Sequence, residues 1–107
     1  MRKALVYLRN RLAGELLEIS SEAYLFRYTD EYFNDVSAPD ISLTLSKRQQ
    51  EYHAKTLFPF FYNMLSEGSN RTLQSQLLKI DENDNFGLLL AIAQCDTLGA
   101  VTVKPAV

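Results

Sequence analysis

A single cysteine, a single histidine and four scattered glycines set the first limits on this 107-residue chain. One cysteine, Cys95, rules out an internal disulfide and fits a reducing compartment. It follows the apolar run from Leu88 to Ala93, where a buried structural thiol is expected rather than a reactive one. His53 stands in a polar stretch without the neighbours a metal centre needs. A Cys95/His53 nucleophile pair has no local support. Gly14, Gly68, Gly87 and Gly99 form neither a phosphate-cradling loop nor a nucleophile elbow. Long apolar runs are also missing: none approaches the roughly 20 residues of a membrane span. Met1-Arg2-Lys3 opens like an export signal, but Arg9 interrupts the apolar stretch Ala4 to Leu8 too soon. No basic excess exists either, with 11 Lys and Arg against 13 Asp and Glu and a net charge of −2. Nothing therefore draws nucleic acid by charge alone, and Lys47-Arg48 and Arg9/Arg11 read as solvated local spots. A soluble, cytoplasmic protein is expected.

Hydrophobic residues make up 47% of the chain, enough to fold as one modest domain over residues 1–107. Lys3 to Arg9 reads as a strand, Asn10-Arg11 as a turn and Leu12 to Ile19 as a returning strand, with Gly14 at a bulge or turn. After Ser20-Ser21, Glu22 to Tyr28 reads as a third strand with Tyr24, Phe26 and Tyr28 on one face. Thr29-Asp30-Glu31 is a turn, or the cap of one helical turn reaching about Asn34. Ile41 to Ser46 alternates apolar and polar residues and predicts a half-buried strand. Lys47 to Ala54 is polar and leaves its structure open.

Thr56 can cap a helix from Leu57, with Pro59 tolerated in its first turn and Phe58, Phe61 and Leu65 on its core face. Gly68 is placed to end it. Ser69 or Asn70 can cap a following helix to about Lys79 that would bury Leu73, Leu77 and Leu78. Asp84 can cap a third helix, Asn85 to Gln94, and Ala100 to Lys104 reads as a closing strand. The order of elements predicts an α+β fold: a small, mostly antiparallel sheet of about five strands packed with about three helices. Asp81 to Asn85 has the polarity of a calcium loop, but Phe86 stands where that loop needs glycine and the twelfth position lacks glutamate. Asp30/Glu31 suffices as a cap or surface pair. Neither catalysis nor a cofactor is expected.

Five segments in order resemble the N-terminal subdomain of HipA-type kinase toxins: Gly14-Glu15-Leu16, Tyr24 to Tyr28, Ile41 to Leu45, Phe60 to Gly68 and Leu98 to Val101. Ser66 departs from the family, which usually has proline before the Glu-Gly pair. The resemblance implies a domain that precedes a Ser/Thr kinase body, whose catalytic and Mg²⁺-binding residues have no counterpart here. A free-standing copy resembles the small HipS proteins of three-gene HipBST toxin–antitoxin systems. That likeness implies two partners: a HipT-like Ser/Thr kinase toxin, which the chain would bind and inhibit, and a HipB-like DNA-binding protein. The turn Ser66 to Arg71 is the expected wedge at the kinase cleft, with Tyr62, Met64, Glu67, Ser69, Asn70 and Arg71 as candidate contacts. Ser69 is in addition a candidate phosphorylation site. The alternative is a non-inhibitory accessory that completes the kinase fold and scaffolds the complex.

Overall fold

The computed structural model describes residues 2–63, 65, 73, 75–81, 83–92 and 101–106. Strand β1 (Arg2–Leu8) turns through Arg9 and Asn10 into β2 (Arg11–Ser20). Both turn residues have positive φ, 52° and 68°, the backbone that matches a tight hairpin to the twist of its strands. Strand β3 (Ala23–Tyr28) completes a meander, β4 (Glu51–Ala54) lies outside β3, and β5 (Val101–Pro105) pairs with β1. The sheet runs β4-β3-β2-β1-β5 with every neighbour antiparallel. This is the expected α+β architecture.

One face of the sheet is the core. Ala4, Val6, Leu16, Tyr24, Phe26, Tyr28, Val101 and Val103 are all buried, following the two-residue period along each strand. Gly14 has a specific reason to be glycine. A Cβ there would stand 2.6 Å from the Arg27 carbonyl oxygen and 2.8 Å from the Phe26 ring. The β1–β2 register shifts at this point, from Val6 opposite Gly14 to Tyr7 opposite Leu12, so the expected bulge lies here.

Among the described residues, helices α1 (Asp30–Asn34), α2 (Pro59–Tyr62) and α3 (Asn85–Ile92) place buried side chains against that face. The Thr29 hydroxyl caps α1 by accepting from the Tyr32 N–H at 3.2 Å. Helix α2 starts two residues later than expected and Thr56 does not cap it. Pro59 holds the preceding residue, Phe58, extended (φ −55°, ψ 138°), so the helix can begin only at the proline. Phe58, Phe61 and Leu65 are buried as expected. Asp84 caps α3, its Oδ1 accepting from the Gly87 N–H at 3.1 Å.

Two further sequence expectations fail for physical reasons. Ile41 to Ser46 is not a strand but holds a 3-10 turn, Leu43–Leu45, capped by the Ser42 hydroxyl. Ile41 and Leu45 are buried while Leu43 is 97% exposed. Buried residues four apart suit a turn as well as a strand, and the partner that decides is Tyr28. Its buried hydroxyl accepts from the Ile41 N–H at 3.0 Å and donates to the Leu45 carbonyl, which fixes both ends of the turn. The edge strand is instead Glu51–Ala54, inside the polar stretch, where Tyr52 and Ala54 are half-buried and Glu51 and His53 exposed.

The second failure concerns the helical residues 73 and 75–78. Ser75 is buried there, whereas Leu73, Leu77 and Leu78 are 54%, 73% and 43% exposed. The segment closes at Lys79, whose φ is 57°. The Lys79 N–H donates to the Gln76 carbonyl at 3.4 Å and the Ile80 N–H to the Ser75 carbonyl at 3.0 Å, a Schellman-type end. The inward side is thus set by Ser75 and Ile80. At about 100° per residue, Leu73 and Leu77 fall on the opposite side from Ser75. Gly68, the caps Ser69 and Asn70, Cys95 and Ala100 lie outside the described residues.

Replacing Tyr28 with phenylalanine tests the pin on the 3-10 turn. The change leaves a buried N–H and a buried carbonyl without their partner and should cost about 2–3 kcal/mol in urea unfolding. A loss below about 0.5 kcal/mol would show that the hydroxyl is not what holds the turn.

Candidate docking surface

Among the described residues, no three His, Cys, Asp or Glu side chains converge as metal ligands. His53 lies exposed on β4, its Nε2 3.8 Å from Glu51 Oε1. The charged clusters that do form hold parts of the fold together, and each can be followed to what it positions.

The first joins α3 to the sheet. Arg2 on β1 donates from Nε to Glu18 on β2 at 2.8 Å and grips both Asp84 oxygens, at 3.0 and 2.7 Å. Its guanidinium lies 5.1 Å from the centre of the Phe86 ring. The Tyr24 hydroxyl donates to the other Glu18 oxygen at 3.1 Å. Asp84 thus serves as helix cap and ion-pair partner at once. Its pKa is lowered, chiefly by the Arg2 hydrogen bond, against the opposing effect of burial. The Arg2 guanidinium is raised in turn, with Asp84 the largest cause. Burial, followed by Glu18, pushes the Tyr24 phenol up. Helix α3 packs against α2, so the clamp also bears on the seat of α2.

The second cluster surrounds Tyr32. Arg11 and Lys47 lie 5.0 and 5.3 Å from its ring centre. Arg11 pairs with Asp35 at 2.8 Å, and Lys47 donates to the carbonyls of Asp35 and Ala38. Asp35 is held well below the usual carboxylate range, first by the Ser37 hydroxyl and then by Arg11. Two cations that read as solvated spots therefore pin the loop between α1 and the 3-10 turn. Arg9 and Arg48 are exposed.

The third region offers a surface rather than a clamp. Phe60 and Phe61 meet edge to face at 5.2 Å, and Phe61 also meets Phe58 at 6.4 Å and Phe26 at 5.9 Å. These rings anchor α2 on the core. The Leu65 N–H donates to the Tyr62 carbonyl at 3.0 Å as the chain folds back to bury Leu65. Tyr62 is left 41% exposed at the end of α2. Further along, Leu73, Leu77 and Leu78 present large apolar side chains to solvent.

Of the six residues predicted as contacts, only Tyr62 is therefore placed. Met64, Glu67, Ser69, Asn70 and Arg71 lie outside the described residues, as does the turn Ser66 to Arg71. Sequence reasoning missed the three leucines as surface groups. Apolar residues four apart on a helix look the same whether they face a core or a partner, and only the buried Ser75 between them marks the direction.

The family model of the HipA N-terminal domain matches residues 4–104. An uncharacterized protein of Haemophilus influenzae is 30% identical over 104 residues, spanning 97% of this chain and 92% of that protein. A Sinorhizobium fredii protein described as a "Putative kinase" is 26% identical over 100 residues, spanning 94% of this chain but only 24% of that protein. Among solved structures, the N-terminal domain of HipA toxin superposes with a TM-score of 0.71 at 24% identity, covering all of this chain and 94% of that one. That likeness shows the shared fold.

Two substitution experiments separate holding from docking. Asp84→Asn should lower stability by about 1 kcal/mol at neutral pH, because the pair with Arg2 is only partly shielded from solvent. Asp84 has a lowered folded pKa, so its contribution is full above the unfolded value near 4 and is lost as pH falls through the folded one. The difference between wild type and variant should therefore shrink on acidification below about pH 4. A difference independent of pH would contradict this. Leu73→Ser with Leu77→Ser should leave the unfolding midpoint within about 0.5 kcal/mol of wild type, whereas Phe61→Ala should cost about 3–5 kcal/mol. Destabilisation of the double variant comparable to Phe61→Ala would mean that the leucines are core.

Proposed function

The chain belongs to the HipA N-terminal domain family, and on that premise we propose that it is a binding protein that docks on a HipT- or HipA-type Ser/Thr kinase toxin and restrains it. The observation that carries this reading is the pairing of a family match over residues 4–104 with exposed Tyr62, Leu73, Leu77 and Leu78 on either side of the segment 66–71. Exposed apolar side chains are what a partner's surface needs, and a few such anchors carry most of an interface at about 2 kcal/mol each. The Sinorhizobium fredii relative supports a kinase as the partner class, since the matching stretch there is 24% of a longer protein described as a kinase.

Inhibition in this reading requires no chemistry from the chain. A kinase must close its cleft to assemble its site, and the turn Ser66 to Arg71 held in that cleft blocks closure. Tyr62, Met64, Glu67, Ser69, Asn70 and Arg71 contact the kinase, and the leucines of residues 73–78 extend the contact. A HipB-like DNA-binding protein joins as a third partner, and the complex works in the cytoplasm. The chain itself is not an enzyme, and it makes no direct contact with nucleic acid.

The test is co-expression with the HipT-like kinase of the same genome, reading growth and co-purification together. Restored growth with the kinase retained on the tagged chain is the expected result. Retention without restored growth would replace inhibition by scaffolding. No retention would overturn the proposal. Leu73→Ser with Leu77→Ser should reduce retention by about tenfold or more while the variant stays folded.

A further inference from the structure

Strand β4 forms one border of the sheet, and the hydrogen-bond pattern fixes which of its backbone groups face outward. The Tyr28 N–H donates to the Gln50 carbonyl at 2.9 Å, which makes that pair a hydrogen-bonded one. Such pairs alternate along an antiparallel ladder. Phe26 opposite Tyr52 and Tyr24 opposite Ala54 are therefore bonded, and Arg27 opposite Glu51 and Leu25 opposite His53 are not. The neighbouring ladder agrees: Thr29 donates to Ala13 at 3.0 Å, which by the same alternation turns the Arg27 and Leu25 backbone towards β2. The N–H and C=O groups of Glu51 and His53 consequently point off the edge. Among the described residues, the Gln49 side-chain amide donates to the Glu51 carbonyl at 2.7 Å, and no backbone group meets the N–H or C=O of His53.

Glu51 and His53 are exposed on one face of β4, and the exposed Lys55 follows them in the bend that ends the strand. Neither glycine nor proline interrupts the strand Glu51–Ala54. Charged edge strands usually discourage pairing because like charges meet. Here the signs are opposite and symmetric about His53, which reverses the effect for one particular partner.

We propose that this edge pairs antiparallel with the same edge of a second copy of the chain, about a two-fold axis at His53. The two sheets then become continuous. His53 exchanges both backbone hydrogen bonds with its counterpart, and the Glu51 carboxylate comes within reach of Lys55 of the partner subunit, at the bend where that strand ends, on either side of the axis. The register is selected by charge. A two-fold centred on Glu51 would set carboxylate against carboxylate, and one centred on Lys55 ammonium against ammonium. Arg27, which now bonds Glu51 at 3.2 Å, keeps Asp30 at 2.9 Å when Glu51 turns towards its new partner. The contact is short, so the dimer is a weak and reversible one. It lies on the border of the sheet and is independent of the kinase reading.

Sedimentation velocity of the full chain over a concentration series tests it. Reversible monomer–dimer exchange is expected. Glu51→Lys places like charges opposite each other twice and should weaken the dimer by about tenfold. The exchange Glu51→Lys with Lys55→Glu should restore it. His53→Pro removes an outward N–H without costing a bond to β3, so it should abolish dimers while circular dichroism stays native. Monomers at every concentration would overturn the proposal. So would dimers indifferent to both Glu51→Lys and His53→Pro, or a charge exchange that fails to restore what Glu51→Lys removed.

Discussion

The ring of Phe26 is the constraint on which the rest of the fold turns. It meets Tyr28 edge-on at 5.0 Å along its own strand and Phe61 of α2 at 5.9 Å above the sheet. It occupies the space that a side chain at position 14 would need. Gly14 answers to this ring together with the Arg27 carbonyl oxygen, and the bulge beside it and the seat of α2 border the same side chain. Tyr28 then passes the constraint on. It stacks on Tyr32 at 5.7 Å, which seats α1, and its hydroxyl ties down the chain at Ile41 and Leu45. Burial raises the Tyr28 phenol well above the usual tyrosine range, so it remains a neutral donor and acceptor.

What was legible in the sequence is what local periodicity encodes. The meander, the inward side of Tyr24, Phe26 and Tyr28, the Asp84 cap and the proline at the start of α2 each depend on neighbours a few residues away. The misreadings come from long-range partners. Ile41, Leu43 and Leu45 alternate like a strand, yet a tyrosine from β3 claims both ends and makes a turn. Lys47 looks like a solvated charge until the fold lays it against Tyr32 and the carbonyls of Asp35 and Ala38, whereas Arg11 stays exposed as it pairs with Asp35. Leu73 and Leu77 look like core until Ser75 takes the inward position. For the candidate surface, the sequence points to Tyr62, which the fold leaves exposed, and to a buried role for Leu73, Leu77 and Leu78, which the fold exposes instead.

A division of labour runs through the molecule. The inner face of the sheet, with its clamps at Arg2–Asp84 and around Tyr32, is committed to holding three short helices in place. Helices of four or five residues cannot hold themselves, so packing and side-chain pins must do it. Helix α2 finishes at Tyr62, which is left exposed, and Leu73, Leu77 and Leu78 are exposed further along the chain. The family match and the relative described as a putative kinase are the grounds on which we propose a kinase as the partner.

The most direct measurement is hydrogen–deuterium exchange of the chain alone and with the cognate kinase bound. The account requires new protection in peptides spanning residues 60–78, with β1, β2 and β3 little changed. Protection confined to the sheet, with residues 60–78 exchanging as they do in the free chain, would place the kinase elsewhere and contradict it.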